Sequence, residues 1–161
     1  MSYRVAVENA DSPDAVALLA ALSEFLERIT GSSGEGSFAV DDLRAANACF
    51  VVARDDDKKA VGCAALRPLT PNIAELKRMF AVPGESGVGS ELLAFLETKA
   101  AQMGYREIWL ETRKVNTKAM SFYQRRGYKR IPNFGKYATR PEAVCFGKSV
   151  GGIDRPTGAS S

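Results

Sequence analysis

Four consecutive residues in the middle of the chain, Gly87-Val88-Gly89-Ser90, have the composition of an anion-binding turn. They follow a β-like run, Glu75–Val82, and they open a stretch in which apolar residues recur at helical spacing. Glycines at such a junction let the backbone approach a ligand, and the first N–H groups of the helix then point at it with the helix dipole behind them. The GxxxxGK[ST] and GxGxxG patterns of nucleotide-binding folds are absent. Glycines that simply start a tightly packed helix would give the same spacing.

A second group of candidate residues lies in Asn116–Tyr128, which reads N-x-x-A-x-x-F-Y-x-x-x-G-Y. Asn116 is placed to cap a helix that carries Ala119 and Tyr123 on one face, and Gly127 is placed to end that helix. An aromatic residue on an amphipathic helix more often belongs to the core than to an active site. The segment alone therefore leaves the role of Tyr123 open.

Histidine is absent from the 161 residues, which excludes His-dependent triads, an imidazole base and HExxH zinc sites. The three cysteines, Cys49, Cys63 and Cys145, are far apart and include no CxxC pair. Because no histidine can activate it, Cys63 is interpreted as a buried reduced thiol. No metal site is expected, and a cytoplasmic, reducing location fits the cysteines best.

The net charge of +3 conceals an asymmetry along the chain. Residues 1–112 carry 11 Lys and Arg against 17 Asp and Glu, whereas residues 113–161 carry 11 against 2. A solvated face is the simplest explanation of the basic part. The sharper one is a surface that attracts a phosphate-bearing cofactor, an acidic substrate or nucleic acid. The count alone does not choose among these.

The elements that must position these residues alternate between strands and helices. Strands are predicted at Tyr3–Glu8, Ala48–Arg54, Lys59–Leu66, Asn72–Val82, Arg106–Glu111, Tyr128–Ile131 and Glu142–Lys148. Helices are predicted from Ser12-Pro13 to Thr30-Gly31, at Gly87–Met103, after Asn116 and, as a short segment, within Asp41–Asn47. This order predicts an α/β or α+β fold, with a mostly antiparallel first half and one β-α-β crossover in the middle.

The chain length fits one domain, which we expect to span residues 1–150. Gly31–Ser37 is expected to be a loop, and Gly151–Ser161 a disordered C-terminal tail. No apolar run is long enough to cross a bilayer, and the first residues do not have the pattern of a signal peptide. Secretion and a membrane partner are therefore not expected.

The glycine turn, the N…A…FY…GY segment and the single crossover between them together resemble the GNAT-type N-acetyltransferases, which use acetyl-coenzyme A (acetyl-CoA). The resemblance covers roughly residues 48–148, and Tyr3–Ile29 fits the family's first strand and helix. It implies a single GNAT-like α/β domain with a mixed, splayed, mostly antiparallel central sheet flanked by helices. It also implies acetyl transfer to the primary amine of a small molecule by direct attack in a ternary complex.

The resemblance further implies how acetyl-CoA is bound. Its pantetheine arm is expected to pair, like an added strand, with backbone groups of Phe80, Ala81 and Val82. Its pyrophosphate is expected on the amides of Gly87, Val88, Gly89 and Ser90. Asn116 falls where the family often contacts the cofactor. Where the family's motif usually has Arg or Gln, this chain has Gly84, followed by the acidic Glu85 in a shortened loop, which points to weakened cofactor affinity.

Acetyl transfer requires a base, because an amine at neutral pH is mostly protonated. Without histidine a carboxylate is the leading choice, and the resemblance places Glu75 beside the thioester; a salt-bridged strand glutamate explains the residue equally well. Tyr123 occupies the family's tyrosine position and is predicted to protonate the departing thiolate. A backbone N–H near the end of Glu75–Val82 is expected to stabilise the oxyanion.

Two segments are predicted to contact the acceptor. Glu111 and Thr112 lie at the carboxyl end of a strand, where a surface role is an equally fair interpretation. Phe134 and Tyr137 are predicted to form a pocket wall, with Lys136 placed to bind a carboxylate; ordinary loop packing is the alternative. The acceptor is expected to be a small-molecule amine, because no extra peptide- or nucleic-acid-binding module is present.

Two other functions stay open at this point. A non-catalytic acyl-CoA-binding or regulatory protein would bind the cofactor without turnover. Nucleic-acid binding through the Arg113–Arg140 tract would show a steep salt dependence, and it ranks well below the other two because only three tyrosines accompany the basic residues. A homodimer is compatible with any of these functions.

Overall fold

A computed structural model describes residues 2–34, 42–43 and 45–151 of the chain. The strands and helices are, in chain order, β1 Arg4–Val7, α1 Pro13–Thr30, β2 Cys49–Arg54, β3 Ala60–Thr70, β4 Ile73–Ala81, α2 Val88–Gln102, β5 Glu107–Arg113, α3 Thr117–Arg125, β6 Lys129–Ile131 and β7 Ala143–Ser149. A short 3-10 helix, Gly135–Tyr137, precedes β7. Within the described ranges, no helix has the length and apolarity needed to cross a membrane.

The strands form a seven-stranded sheet in the order β1-β2-β3-β4-β5-β7-β6. β4 and β5 pair in parallel and are joined through α2, whereas the β1–β2, β2–β3, β5–β7 and β6–β7 pairs are antiparallel. The parallel register joins residues 73–75 of β4 to residues 107–109 of β5. The predicted α/β fold with a mixed, mostly antiparallel sheet and one β-α-β crossover is therefore confirmed.

The chain divides into two compact units. The first unit consists of Met1–Arg67 and Leu76–Leu96, and the second consists of Pro68–Glu75 and Glu97–Ser161. The predicted disordered tail lies outside the described residues from residue 152 onward. Residues 35–37 of the predicted loop and residues 41 and 44 of the predicted short helical segment also lie outside them.

Helix α1 begins and ends where the sequence predicts. Ser12 adopts an extended conformation and its side chain accepts a hydrogen bond from the Ala15 N–H, while Pro13 occupies the first helical position. Gly31 ends the helix with a φ of 80°, in the left-handed region that glycine adopts without strain. In the first unit, the apolar face of α1 packs in one buried cluster with residues of the sheet that include Phe50, Val52, Cys63 and Phe80.

Strand β3 is longer than predicted and continues through Pro68 to Thr70. The prediction stopped at Leu66 because proline rarely occurs inside a sheet. In the structure β2 begins at Cys49, which pairs with Leu66, so that the end of β3 has no β2 residue opposite it. The N–H group that Pro68 lacks therefore costs no hydrogen bond to β2.

Arg78 is a buried, irregular position within β4. Its φ is 57°, unusual for a non-glycine residue, and its guanidinium donates hydrogen bonds to the carbonyl oxygens of Leu19 and Ser33 and to the Ser23 hydroxyl. The Cys63 Sγ lies 3.5 Å from the Arg78 carbonyl oxygen, to which it donates. The first unit thus holds a local distortion of β4 in place through contacts with α1 and the segment after it.

Gly62 of β3 is a close-packing position in the first unit. A Cβ atom there would lie 2.5 Å from Val88 Cγ1 and 2.8 Å from the Phe80 carbonyl oxygen. We expect Gly62→Ala to lower the free energy of unfolding by about 2 kcal/mol, as overpacking does. Urea denaturation measures this, and adding Val88→Ala should recover part of the loss. A Gly62→Ala protein as stable as the parent would contradict this packing.

A network of ion pairs joins β2 to the start of α1. Arg54 Nη1 lies 2.7 Å from Glu8 Oε1 and Arg54 Nη2 lies 2.8 Å from Asp14 Oδ2, and the Ser12 hydroxyl donates to Glu8 Oε2 over 2.6 Å. The hydrogen bond from Arg54 is the main cause that lowers the pKa of Glu8 below its usual value. The Glu8 carboxylate therefore stabilises the fold above the unfolded-state pKa, and this contribution is lost as the pH falls through the lowered pKa.

The sign of this effect gives a prediction for Glu8→Gln. We expect the variant to be about 1 kcal/mol less stable than the parent at pH 7. The difference should shrink below pH 4.5, the ordinary value for the side chain, and vanish under more acidic conditions. Unfolding curves recorded across this range test the prediction, with Glu24→Gln as control because Glu24 forms an exposed pair with Arg28. A Glu8→Gln deficit independent of pH would exclude the carboxylate as its cause.

Candidate functional site

The loop that precedes α2 consists of a tight turn followed by a bend, both in the first unit. The Glu85 N–H donates to the Val82 carbonyl oxygen over 3.2 Å, which closes the turn after β4. Gly84 and Gly87 have φ values of 92° and 87°, conformations that side chains with a Cβ rarely adopt. The loop therefore depends on glycine at both positions, and Gly84 is the residue that replaces the family's usual Arg or Gln.

The first turn of α2 presents main-chain N–H groups to the loop. The first helical hydrogen bond runs from the Glu91 N–H to the Gly87 carbonyl oxygen over 3.2 Å. The N–H groups of Val88 and Gly89 precede this bond, so they are not donors within the helix. The structure thus gathers the four predicted pyrophosphate-binding residues, 87–90, at one helix start, a geometry suited to an anion.

Tyr3 contacts this loop, which the sequence did not predict. Its hydroxyl lies 3.1 Å from Glu85 Oε1 and 2.9 Å from the Ser86 carbonyl oxygen, and a Cβ at Gly87 would lie 3.9 Å from its ring. The hydroxyl has one proton to share between the two acceptors. Tyr3 therefore ties the N-terminal segment to the loop and holds the Glu85 carboxylate beside the start of α2.

In the second unit, the predicted base is paired with a predicted pocket residue. Glu75 is 1% exposed, and the Tyr137 hydroxyl, also buried, donates to Glu75 Oε2 over 3.1 Å. Glu75 lies opposite Trp109 in the β4–β5 register. This pair joins residues 62 positions apart in the chain. The Tyr137 hydroxyl thus helps to hold the buried Glu75 carboxylate in one orientation.

The predicted pocket wall is a packed aromatic cluster. The Phe134 ring lies 5.2 Å from that of Trp109 and 5.3 Å from that of Tyr137, measured between centroids. Tyr137 is buried with Ala143 and Cys145, while Phe134 is only half-buried. Ordinary loop packing therefore accounts for the Tyr137 ring, and Phe134 is the member of the wall that solvent reaches.

Glu111 and Thr112 lie at the end of β5, opposite Cys145 and Val144 of β7. The Glu111 carboxylate is 14% exposed, with its Oε2 3.6 Å from Arg113 Nε. Burial is the main cause that raises the pKa of Cys145, and the charges of Glu111 and Glu75 act in the same direction. Both carboxylates therefore lie near this thiol, on the side of the sheet that carries Tyr137.

Cys63, in the first unit, is a buried reduced thiol, as predicted. It is fully buried and forms no disulfide. Burial raises its pKa to about 12, so that the thiol is protonated and inert near neutral pH. An acyl-enzyme through this residue has no structural support.

Tyr123 lies on α3 within a second aromatic cluster. Its ring is 7% exposed and meets those of Phe122 and Tyr128 edge to face, at 5.2 and 5.7 Å between centroids. Burial raises the pKa of Tyr123 above its ordinary value, so the phenol stays protonated near neutral pH. Among the described residues, no hydrogen bond uses the Tyr123 hydroxyl. The hydroxyl is therefore a protonated donor available to a ligand.

Asn116 begins the helix that carries Tyr123. Its side-chain oxygen accepts a hydrogen bond from the Ala119 N–H over 3.2 Å, the predicted capping contact. Gly127, with a φ of 91°, follows the end of the helix as predicted. Because the side-chain oxygen of Asn116 caps the helix, the side chain would contact a cofactor through its NH2 group, as a hydrogen-bond donor.

Tyr128 belongs to a partly buried polar contact that the sequence did not reveal. Its hydroxyl donates to Glu97 Oε2 over 3.0 Å, and the Lys148 ammonium lies 3.1 Å from both oxygens of the same carboxylate. The contact joins the end of α2, the segment after α3 and β7 within the second unit. Both tyrosines are buried, but the Tyr128 hydroxyl has a hydrogen-bond partner among the described residues, in contrast to the Tyr123 hydroxyl.

A family model described as the acetyltransferase (GNAT) family matches residues 17–128 of this chain. The chain therefore belongs to the GNAT acetyltransferase family, as its sequence motifs indicated, and the activity of that family is acyl transfer. No curated protein matches it.

Solved structures share the fold over almost the whole chain. One from Klebsiella pneumoniae, to which acyl-CoA N-acyltransferase activity is ascribed, is 26% identical, with a TM-score of 0.77 over 92% of this chain and 97% of that one. A GNAT acetyltransferase from Elizabethkingia anophelis, solved with acetyl-CoA, is 17% identical, with a TM-score of 0.68 over 91% and 97%. The PaiA N-acetyltransferase from Thermoplasma acidophilum, solved with coenzyme A, is 19% identical, with a TM-score of 0.69 over 92% and 99%.

Proposed function

We propose that this protein transfers the acetyl group of acetyl-CoA to the primary amine of a small molecule, by direct attack in a ternary complex. The observation that carries the proposal is the glycine-opened start of α2, where Gly87 adopts a left-handed conformation just ahead of unused helix N–H groups. The acetyl-CoA and coenzyme A bound to two structural neighbours support the choice of donor. The three free, buried cysteines support a reducing, cytoplasmic location.

The donor is assigned to residues of the first unit. The main-chain N–H groups of residues 88–90 would bind the pyrophosphate. Phe80 and Ala81 are the last two residues of β4, and Val82 follows them directly. Their main-chain groups would pair with the pantetheine amides. The Val82 N–H is not one of these groups, because it donates to the Val61 carbonyl oxygen of β3.

The proton transfers are assigned to residues of the second unit. The amine nitrogen forms a bond to the acetyl carbonyl carbon, the carbon–sulfur bond breaks, and the products are an amide and coenzyme A. Glu75 takes the proton that the amine loses, directly or through water, because no histidine exists to do so. Tyr123 gives its phenolic proton to the departing thiolate. Glu111, Thr112 and Phe134 would contact the acceptor.

Two measurements on the unmodified protein test this function. Acetyl-CoA at a thousand times its dissociation constant should stabilise the fold by about 4 kcal/mol, read as a thermal shift. A panel of amines, followed by detection of free thiol, should then show turnover. Stabilisation without turnover on any amine would favour a non-catalytic acyl-CoA-binding protein. The absence of stabilisation would overturn the proposal.

Glu85, in the loop before α2, is a residue whose substitution is predicted to strengthen the binding of acetyl-CoA. We expect Glu85→Gln to lower the Kd for acetyl-CoA about threefold, because it removes a negative charge beside the proposed pyrophosphate position. The gain should decrease at high salt, where such repulsion is screened. Calorimetric titration at two ionic strengths measures both effects, with Tyr3→Phe as the variant that frees the carboxylate without removing it. A Kd for Glu85→Gln equal to or above that of the parent would argue against a pyrophosphate at this position.

A further inference from the structure

An open cleft of about 670 Å³ lies in the second unit, between the end of β6 and the segment that leads to β7. The polar residues of its lining are Lys114, Arg130, Asn133, Thr139 and Arg140. It is lined by none of the residues assigned above to the donor or to the proton transfers. The proposed donor site and proton transfers therefore do not account for this cleft.

The walls of the cleft are held by hydrogen bonds within the segment itself. The Asn133 side-chain amide lies 3.2, 3.3 and 3.1 Å from the carbonyl oxygens of Tyr137, Arg140 and Ala143. The Lys114 N–H donates to the Glu142 carbonyl oxygen over 3.0 Å, which joins the end of β5 to the same segment. Since one amide group closes the loop through several carbonyls, the cleft is a built feature rather than a gap between mobile chains.

The charge of the cleft is positive and is not balanced from within. Lys114, Arg130 and Arg140 line it, and no carboxylate does. The neighbouring acid, Glu142, has its Oε2 4.0 Å from Arg113 Nη1, outside the lining. No ion pair among the described residues uses the three lining cations. Three like charges around one concavity attract an anion, whose binding relieves their repulsion.

The cleft is connected to the Glu75 site through one residue. The Asn133 amide that shapes the cleft bonds the main chain of Tyr137, and the Arg140 guanidinium lies 6.0 Å from the Tyr137 ring. The hydroxyl of the same tyrosine is bound to Glu75. Tyr137 therefore links the wall of the cleft to the Glu75 carboxylate, through its main chain on one side and its hydroxyl on the other.

We propose that this cleft binds a phosphate or carboxylate group carried by the acceptor, so that the substrate is a small amine that also bears an anion. This inference rests on the proposed function, because it assigns the acceptor of that reaction. Arg130 and Arg140 would bind the anion, with Lys114 and the Thr139 hydroxyl as further contacts. Guanidinium groups suit this task because they offer paired N–H donors to carboxylate and phosphate oxygens.

The first experiment is a binding measurement that needs no activity. Inorganic phosphate is titrated into the full chain in low-salt buffer while amide resonances are recorded by NMR. We expect shifts at the Asn133 side-chain amide and around Arg140 in the parent, and their loss in the double variant Arg130→Gln/Arg140→Gln. The matched control, Arg125→Gln/Lys129→Gln, removes the same charge from exposed positions of the same basic tract and should keep the shifts. Shifts confined to the start of α2 would overturn the proposal.

The second experiment compares paired acceptors, such as an amino alcohol with its phosphate ester and an amino acid amide with the amino acid. We expect the anionic member to have a KM at least about tenfold lower in the parent, and this preference to be lost only in the cleft variant, with the KM for acetyl-CoA unchanged. Equal KM values within the pairs would overturn the proposal. An inactive protein that still shows the phosphate shifts at the cleft would refute the proposed reaction while leaving the anion site standing. Salt-sensitive oligonucleotide binding, weakened equally in both double variants, would instead assign the tract to nucleic acid.

Discussion

Replacement of Tyr123 by Phe is expected to lower kcat for acetyl transfer about a hundredfold while the Kd for acetyl-CoA stays unchanged. A positioned proton donor contributes an effect of this size to a transition state in which charge develops on the leaving sulfur. The substitution removes one hydroxyl and keeps the ring that packs against Phe122 and Tyr128. Because no described residue bonds the Tyr123 hydroxyl, its loss should leave the stability of the fold almost unaltered.

The neighbouring tyrosine provides the matched control for this result. Tyr128→Phe also removes one phenolic hydroxyl, but from a group that is hydrogen-bonded to Glu97. We expect that variant to lose stability by about 1 kcal/mol and to keep its kcat. Steady-state kinetics and urea denaturation separate the two cases. An unchanged kcat in Tyr123→Phe would remove Tyr123 from the reaction.

The second large effect is expected for Glu75→Gln. We expect kcat/KM to fall about a hundredfold and to lose its rise with pH, because the amide cannot accept the proton of the amine. The substitution preserves the shape of the side chain and an oxygen that can accept from Tyr137. A loss of activity without a large change in the urea midpoint would therefore reflect chemistry rather than unfolding.

Tyr137→Phe is the companion to this variant. It removes the hydrogen bond to Glu75 but leaves the carboxylate in place, so activity should fall less and the rise with pH should persist. The two pH profiles are recorded with the same amine at saturating acetyl-CoA. A Glu75→Gln profile that follows the parent at every pH would show that another group is the base.

Those features of the fold that depend on local sequence could be predicted. Helix α1 begins at the Ser12 cap and Pro13 and ends at the left-handed Gly31, and each signal acts on the nearest turn of the helix. Asn116 and Gly127 mark the two ends of α3 in the same way. Such signals concern residues three or four positions apart, and therefore they are visible in the order of residues alone. The single crossover through α2 was also predicted, whereas the position of β7 between β5 and β6 was not.

Features that depend on distant residues could not be predicted. The Glu75–Tyr137 hydrogen bond and the Tyr3–Glu85 contact join residues 62 and 82 positions apart, and no local pattern marks either pair. The left-handed conformation of Arg78 is likewise invisible, because it is imposed by hydrogen bonds to α1 and the segment after it. Distant contacts of this kind have to be read from the structure.

The cleft lined by Arg130 and Arg140 shows a further limit of sequence reasoning. The excess of basic residues from Arg113 to Arg140 was evident, but a count of charges does not say which of them converge. Three basic residues line the same cleft, because the Asn133 side chain bonds the main chain of the segment that leads to β7. Lys136, placed by sequence to hold a carboxylate, is not among the residues that line it.

The most direct test of the account is an amide-resonance map of the protein titrated with acetyl-CoA. If the pyrophosphate binds where we propose, the largest chemical-shift changes will belong to the N–H groups of Val88, Gly89 and Ser90, and they will saturate together with the thermal stabilisation. If these three resonances stay in place while acetyl-CoA binds and shifts others, the donor occupies a different surface and the assignment of the site is wrong.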